Sequence, residues 1–193
     1  MLDRQTLERN HVRELADVVN LSPALTITYG TTPANNGINM RGIGTTSIGV
    51  GVEADVAVII DDIPIGMQVR AFQDLVDIDR VEILKGPQST LFGKSAIAGA
   101  INITTRPISG PVRTSTSTLY TSDGEWRLGV ANGGEVSDRF GYRLVASKTR
   151  FPGNVDNLTY GDKTNGSGGS TYMAKLQWHL TDRLDVELSP RYD

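Results

Sequence analysis

The part of the chain after residue 111 alternates apolar and polar residues with a period of two, and this pattern restricts its fold more than any other feature. The alternation is present in segments 126–130, 140–147, 172–180 and 184–188. Successive side chains of a β-strand point to opposite faces of the sheet. The pattern therefore predicts long strands with one apolar face, and in segment 172–180 that face holds Tyr172, Ala174, Leu176, Trp178 and Leu180.

The connections between these strands alternate in length. Segments 137–139 and 181–183 are tight, whereas 152–170 is a long loop rich in Gly, Asn and Ser. Short turns at one end and long loops at the other are typical of outer-membrane β-barrels. Aromatic residues at the strand ends suit a membrane interface, and here they are Trp126, Tyr142, Tyr172 and Trp178. The alternation by itself is equally compatible with a soluble β-sandwich.

Residues 1–110 have the pattern of a mixed α+β domain. Apolar residues at helical spacing predict a helix over 3–21, with Asp3 and Asn10 as possible caps and Ser22-Pro23 as its end. Short strands are predicted between 26 and 51, at 56–60, at 81–84 and at 100–104, with a short helix over 71–76. The change of pattern at 106–111 predicts two domains, 1–110 and 111–193.

Composition excludes several classes of function. The net charge is -3 and no basic run stands out, so no nucleic-acid partner is expected. The chain has no cysteine, which excludes disulfides and thiolate sites. His11 and His179 lie far apart with no carboxylate at ligand spacing, so neither a metal site nor a catalytic triad is predicted.

Two glycine motifs and one acidic pair could indicate chemistry. The segment from Gly86 to Ser95 resembles a phosphate-binding loop, but six residues separate its glycines instead of four, so a nucleotide hydrolase is a remote alternative. The segment from Gly42 to Ser47 lacks the third glycine of a dinucleotide site and is interpreted as a turn. Asp61-Asp62 could be paired catalytic carboxylates, but after a buried strand such a pair is more often a turn.

One dense run resembles a known signature. Residues 79–93, DRVEILKGPQSTLFG, followed by 98–105, AGAINITT, closely resemble the plug signature of TonB-dependent receptors. Three further segments also resemble the plug sequence, and they follow one another in the same order as in the family. They are 17–19 with 22–23, then 39–42, then 58–64. The resemblance covers nearly all of residues 1–110, while 111–193 resemble the family only in architecture.

The resemblance implies a fold and a function. The expected fold is an α+β plug domain, with a small mixed sheet and short helices, followed by antiparallel strands of an incomplete transmembrane β-barrel. The implied function is active uptake of a scarce nutrient such as a ferric siderophore or cobalamin across the outer membrane of a Gram-negative bacterium, with the plug gating the barrel. The implied partners are TonB, the nutrient and outer-membrane lipid, and neither covalent chemistry nor a cofactor is implied.

The resemblance also implies roles for particular residues. Arg41, Glu82 and Lys85 match the plug charges that contact the barrel wall, although the family commonly has Arg at the position of Lys85. No substrate-binding residue is implied. The remaining matched positions form the structural plug motif, namely Gly42, Asp61, Gly86, Pro87, Gly93, Gly99 and Asn102.

The chain is expected to be a piece of a longer receptor. Neither a signal peptide nor a TonB-coupling segment precedes the first plug strand. Only a few barrel strands are predicted, against the roughly 22 of outer-membrane transporters, and an open sheet edge is not tolerated in hydrocarbon. The chain alone is therefore not expected to transport a nutrient. The alternative from another class is a free-standing periplasmic plug-like module that binds a ligand or TonB.

Overall fold

The computed structural model describes residues 1–30, 36–45, 54–66, 74–93, 95–157, 159, 161 and 163–193. Within it the chain divides into two compact units, Met1–Arg106 and Pro107–Asp193. The first three residues of the helix predicted over 71–76, the end of the Gly42 motif and Lys94 of the Gly86–Ser95 segment lie outside the described residues.

Among its described residues, the first unit contains two sheets and three short helices. In chain order the elements are β1 (Leu2–Asp3), α1 (Arg4–Arg9), α2 (Leu15–Asn20), β2 (Leu25–Thr28), β3 (Gly37–Met40), β4 (Ile43–Gly44), β5 (Val56–Ile60), β6 (Ile63–Pro64), β7 (Ile78–Lys85), α3 (Ser89–Phe92) and β8 (Gly99–Thr105). The larger sheet has the strand order β1-β7-β8-β5-β6, and the smaller has the order β2-β3-β4.

Strand β8 lies at the centre of the larger sheet. It pairs antiparallel with β7 and parallel with β5. Both faces of β5 and β8 are covered, which explains why β5 is a continuous apolar run instead of an alternating one. One face packs against the helices through a core that includes Leu15, Val18 and Ile101. On the other face Ala57, Ile59, Ala96 and Ala100 form a smaller cluster with Leu84 and Phe92.

The helix predicted over 3–21 is two helices in the structure. Asp3 caps α1 by accepting a hydrogen bond from the Thr6 N–H at 3.0 Å, and Asn10 is the C-cap. His11 then has φ +52°, which ends the helix. A new N-terminus forms because the Asp17 carboxylate accepts a hydrogen bond from the Glu14 N–H at 3.1 Å. The apolar periodicity correctly predicted helical structure within 3–21, but local capping divides this segment into α1 and α2. No helix within the described ranges is long and apolar enough to cross a membrane.

The described part of the second unit is an antiparallel sheet with one additional hairpin. In chain order the strands are β9 (Arg113–Tyr120), β10 (Trp126–Ser137), β11 (Phe140–Phe151), β12 (Val155–Asp156), β13 (Lys163–Thr164), β14 (Ser167–Thr181), β15 (Leu184–Leu188) and β16 (Arg191–Tyr192). The sheet has the order β15-β14-β11-β10-β9, and β16 also pairs with β14. The long strands occur where the period-two pattern predicted them, and they extend beyond it. The hairpin, β12 with β13, lies within the predicted long loop.

Gly99 marks a close backbone approach in the first unit. Its φ is +155°, and a Cβ at this position would lie 2.4 Å from the Leu84 carbonyl oxygen and 2.2 Å from Met40 Sδ. The Met40 side chain could move, but the Leu84 oxygen belongs to the neighbouring strand of the sheet. Only glycine therefore allows β7 to lie this close to the start of β8.

We expect Gly99→Ala to destabilise the first unit by about 2 kcal/mol, because the added methyl group overpacks a site bounded by backbone. Urea denaturation of the whole chain, with hydrogen exchange of the β7 and β8 amides, measures the effect. Gly66→Ala is the control, since a Cβ there meets nothing within 4 Å. Equal stability of the two variants would contradict the close-packing explanation.

Candidate functional site

A polar group lies on the face of the larger sheet that carries the smaller apolar cluster. Glu82 of β7 and Asn102 of β8 are directly paired across the strands. Asn102 Nδ2 donates a hydrogen bond to Glu82 Oε2 at 3.1 Å. Arg80 Nε lies 3.9 Å from the same carboxylate oxygen. Asn102 Oδ1 is buried, and no donor among the described residues reaches it. The group thus offers a half-exposed carboxylate and an unsatisfied acceptor side by side.

Lys85 does not join this group. Positions 82 and 85 of β7 are an odd number of residues apart, so their side chains point to opposite faces of the sheet. Lys85 is exposed at the end of β7, paired with Gly99. No ion pair within the described part of the chain joins Lys85 or Arg41 to Glu82.

Arg41 lies in a tight turn of the smaller sheet. Arg41 and Gly42 separate β3 from β4 and have φ values of +53° and +81°. Positive φ at both central residues is the geometry of a type I′ hairpin. The Arg41 N–H donates to the Ala24 carbonyl at 2.8 Å, while the side chain is exposed. The turn therefore presents the guanidinium away from the sheet.

Asp61 and Asp62 form a second turn of the same kind between β5 and β6, with φ values of +47° and +65°. The Asp61 carboxylate accepts two hydrogen bonds from Thr105, one from the N–H at 2.8 Å and one from the hydroxyl at 2.6 Å. Thr105 is only 1% exposed. Asp61 therefore joins the end of β5 to the end of β8 in a turn, as the sequence analysis predicted.

The Gly86–Gly93 segment is a compact turn between β7 and β8. Gly86 and Gly93 have positive φ, and Pro87 lies between Gly86 and α3. The Gly86 N–H donates to the Ala98 carbonyl at 3.1 Å, and the Gln88 N–H donates to the Ala96 carbonyl at 2.9 Å. These backbone donors are used inside the turn, and a strand follows it. A phosphate loop requires free N–H groups and a following helix, so the geometry argues against the nucleotide-hydrolase alternative.

The sheet of the second unit has two unlike faces. Cross-strand register places Leu128, Val130, Leu144 and Leu188 on one face, which we call the apolar face. Its side chains are exposed, with Leu144 at 49% and Leu188 at 51%. The other face holds mainly small and polar residues. Among these are Gly129, Gly133, Gly141, Ser147, Thr149, Thr171, Lys175 and Gln177.

Aromatic residues mark both ends of the apolar face. At one end Phe140 and Trp178 pair across β11 and β14, with ring centroids 4.8 Å apart. At the other end Trp126 pairs with Tyr120 and with Arg150. Phe140 and Arg150 are about ten residues apart, or about 34 Å along β11. A strand tilt of about 40° reduces this to about 26 Å, which matches the roughly 25 Å apolar band of membrane barrels.

Three polar side chains on the apolar face satisfy one another. The Tyr142 hydroxyl donates to Asn132 Oδ1 at 2.6 Å, and Asn132 Nδ2 donates to Thr114 Oγ1 at 2.8 Å. An unpaired polar group in hydrocarbon costs several kcal/mol. Their mutual pairing lets these three side chains occupy a face without water.

A match to the TonB-dependent receptor plug domain covers residues 1–100. The chain belongs to this family. The match confirms the resemblance drawn from residues 79–105, and it includes every residue of the predicted site except Asn102.

Relatives and solved structures match nearly the whole chain. The iron-regulated outer membrane virulence protein of Vibrio cholerae is 28% identical over 98% of this chain and 28% of its own length. The ferric yersiniabactin uptake receptor FyuA from Yersinia pestis superposes with a TM-score of 0.86 at 24% identity, over 97% of this chain and 30% of its own. The ferripyoverdine receptor of Pseudomonas aeruginosa gives a TM-score of 0.78 at 19% identity, over 97% of this chain and 24% of its own.

These matches confirm the predicted fold class, an α+β plug followed by antiparallel strands that begin a barrel. The chain spans less than a third of the length of these proteins. No group of three or more His, Asp or Glu residues suited to a metal ion occurs among the residues that the structure describes.

The plug contains a charged network that the sequence analysis did not find. Glu8 of α1 accepts hydrogen bonds from Arg4 at 2.8 Å and from Arg106 at 2.9 Å. Arg106 Nε also lies 3.5 Å from Asp77 Oδ1. The hydrogen bond from Arg4 is the main reason that the pKa of Glu8 lies below its ordinary value, and it outweighs the opposing effect of partial burial. The network joins the first helix of the plug to the end of its central strand.

We expect Asp61→Asn to destabilise the plug by about 1–2 kcal/mol, because the amide NH2 group replaces one of the two oxygens that accept hydrogen bonds from buried Thr105. Asn tolerates positive φ as well as Asp does, so the substitution isolates the hydrogen bond. Urea denaturation measures the effect. Asp62→Asn is the matched control in the same turn and is expected to change stability by less than about 0.5 kcal/mol; equal losses would contradict the role of Asp61.

Proposed function

We propose that this chain is part of a TonB-dependent outer-membrane receptor that takes up a scarce nutrient, with the plug gating the barrel. The observation that supports this most strongly is the presence, in one chain, of a plug domain and a sheet whose exposed apolar face has the height of a membrane. Strands β10 and β11 have 12 residues and β14 has 15, and a membrane-spanning strand needs about 9–11. The receptor binds and moves its ligand without covalent chemistry or a resident cofactor.

The parent protein is placed in the outer membrane of a Gram-negative bacterium, with lipid against the apolar face. Its domains are the plug at 1–110 and the first barrel strands at 111–193. The division between compact units after Arg106 supports a boundary in the segment 106–111. TonB is the proposed energy-coupling partner.

The names of the related proteins support an iron chelate as the ligand. One is called iron-regulated, and two solved structures are of receptors for ferric yersiniabactin and ferripyoverdine. We assign a ferric siderophore, or another small iron chelate, to the parent receptor. Cobalamin is the alternative nutrient within the same mechanism.

The plug charges are proposed to contact the barrel wall in the parent receptor. Arg41 projects from an exposed turn, and Lys85 is exposed at a strand end. Glu82 and the unsatisfied Asn102 Oδ1 form an acceptor pair suited to a cationic side chain. Lys85 would act as a point charge, since it lacks the bidentate geometry of arginine. Gly42, Asp61, Gly86, Pro87, Gly93 and Gly99 have structural roles in this proposal.

Uptake of radioactive iron tests the function. In the source bacterium, deletion of the reading frame that encodes this chain is expected to abolish uptake of one ferric siderophore, as loss of TonB does, and to leave uptake of other chelates unchanged. A parallel assay with labelled cobalamin separates the two nutrients. Normal uptake of every chelate and of cobalamin would contradict the proposal. Recovery of the protein in the soluble periplasm would instead favour the free-standing binding module.

A further inference from the structure

Three asparagines of the chain are each followed directly by glycine, at 36–37, 132–133 and 165–166. In such a pair the backbone nitrogen of the glycine can attack the carbonyl carbon of the asparagine side chain and close a succinimide ring. Glycine favours this attack because it has no side chain and leaves the backbone free to rotate. The pair is therefore reactive, and the surrounding structure determines its rate.

The pair Asn132-Gly133 is held by the sheet of the second unit. Asn132 Oδ1 accepts a hydrogen bond from the Tyr142 hydroxyl at 2.6 Å, and Asn132 Nδ2 donates to Thr114 Oγ1 at 2.8 Å. Gly133 is buried and is paired with both neighbouring strands, β9 and β11. The side chain and the glycine backbone cannot reorient for the reaction without breaking these contacts.

The pair Asn36-Gly37 is restrained at the start of β3. Gly37 is buried and pairs with Thr28 of β2. Asn36 Oδ1 accepts a hydrogen bond from the Gly30 N–H at 3.2 Å. Rotation of the Gly37 backbone would disturb the pairing of the two strands, so this pair is also protected.

The pair Asn165-Gly166 has no such restraint. It forms the turn between β13, which ends at Thr164, and β14, which begins at Ser167. Both residues of the pair are exposed. The Gly166 N–H donates no hydrogen bond to any residue that the structure describes. The backbone of the turn can therefore rotate without breaking a strand pair.

One contact of Asn165 assists the attack. The Asn154 N–H donates a hydrogen bond to Asn165 Oδ1 at 3.0 Å. Negative charge develops on this oxygen when a nucleophile adds to the amide carbon, and a backbone N–H already directed at the oxygen stabilises that charge. Asn165 Nδ2, the group that must leave, donates no hydrogen bond within the described part of the chain.

We propose that Asn165 is a site of spontaneous deamidation. The Gly166 nitrogen forms a bond to Asn165 Cγ, the bond from Cγ to Nδ2 breaks, and Nδ2 leaves as ammonia with the proton that the Gly166 nitrogen releases. Water then adds to one carbonyl of the succinimide and opens the ring. The product at position 165 is aspartate or isoaspartate, and nothing is oxidised or reduced.

The isoaspartate product changes the shape of the long loop, because it has an additional methylene group in the backbone. The backbone beside the turn is closely packed. A Cβ on Gly166 would lie 2.9 Å from the carbonyl oxygens of Phe151 and Pro152. A Cβ on Gly153 would clash with the Thr164 carbonyl. The longer backbone does not fit this packing, and the short pairing of β13 with β12 is released.

Peptide mapping of the parent receptor tests the site. The receptor is kept in detergent micelles at neutral and at mildly alkaline pH, and digested samples are analysed by mass spectrometry over several weeks. We expect deamidation at Asn165 to be about 30-fold faster than at Asn132, where two side-chain hydrogen bonds must break first. Asn36 should also react slowly. The rate at Asn165 should rise with pH, because the attacking nitrogen must lose its proton.

The denatured receptor separates the effect of the fold from that of the sequence. All three pairs are Asn-Gly, so their rates are expected to become similar once the fold is lost. A folded receptor in which Asn165 reacts no faster than Asn132 would overturn the inference. So would a denatured receptor that retains the full difference between the two positions.

Hydrogen exchange tests the effect on the hairpin. The amides of 153–156 and 163–166 are expected to exchange faster in aged receptor that contains isoaspartate than in fresh receptor. Asn165→Asp introduces the negative charge without the additional methylene group and is expected to keep the slow exchange. Equal exchange in aged and fresh receptor would overturn the opening of the hairpin, and fast exchange in Asn165→Asp would overturn the role of the longer backbone.

Discussion

The structure of the second unit depends on the removal of its apolar face from water. Leu144, Tyr172 and Leu188 of that face are each about half exposed, at 49%, 53% and 51%. Apolar surface in water costs about 25 cal/mol per Å², and a contiguous exposed patch marks contact with another apolar phase. The backbone is hydrogen-bonded from strand to strand, so the side chains determine which medium each face prefers. Aromatic residues at both ends of the face, about 26 Å apart, fit the interfaces of a bilayer.

The first unit satisfies the opposite requirement. Its large apolar side chains, among them Leu15, Ile101 and Ile103, are fully buried in a core of its own. Its polar contacts lie at strand ends and turns, where Asp61 binds Thr105 and Glu8 binds Arg106. One chain thus combines a domain that folds around its own core with a sheet that requires an apolar environment. This combination is what a gated membrane receptor requires of its plug and its wall.

Local sequence patterns predicted most of this fold. Period-two alternation located the strands of the second unit, and the continuous apolar run of β5 predicted a buried strand. Asp3 was correctly interpreted as a helix cap, and Asp61-Asp62 as a turn. These features are encoded within a few neighbouring residues, and for that reason they could be found without the structure.

The features that the sequence did not predict are those set by long-range pairing or by competing caps. The division of the first helix depends on the backbone conformation of His11 and on capping by Asp17. The Glu82–Asn102 hydrogen bond follows from the register of β7 and β8. Arg106 binds Glu8, which lies 98 residues earlier in the chain. The close approach at Gly99 could be recognised only once Met40 and Leu84 were in place.

The most direct test measures which face of the second sheet contacts lipid. The chain has no cysteine, so Leu144→Cys and Val145→Cys each introduce one site for a nitroxide label, on adjacent residues that point to opposite faces of β11. In the parent receptor, reconstituted in phosphatidylcholine vesicles so that the sheet has no open edge, the label at position 144 should collide more often with oxygen, which concentrates in hydrocarbon, than with a water-soluble nickel complex. The label at position 145 should not show this preference. Equal accessibility at the two positions, or the reverse order, would contradict a lipid-facing sheet joined to a plug.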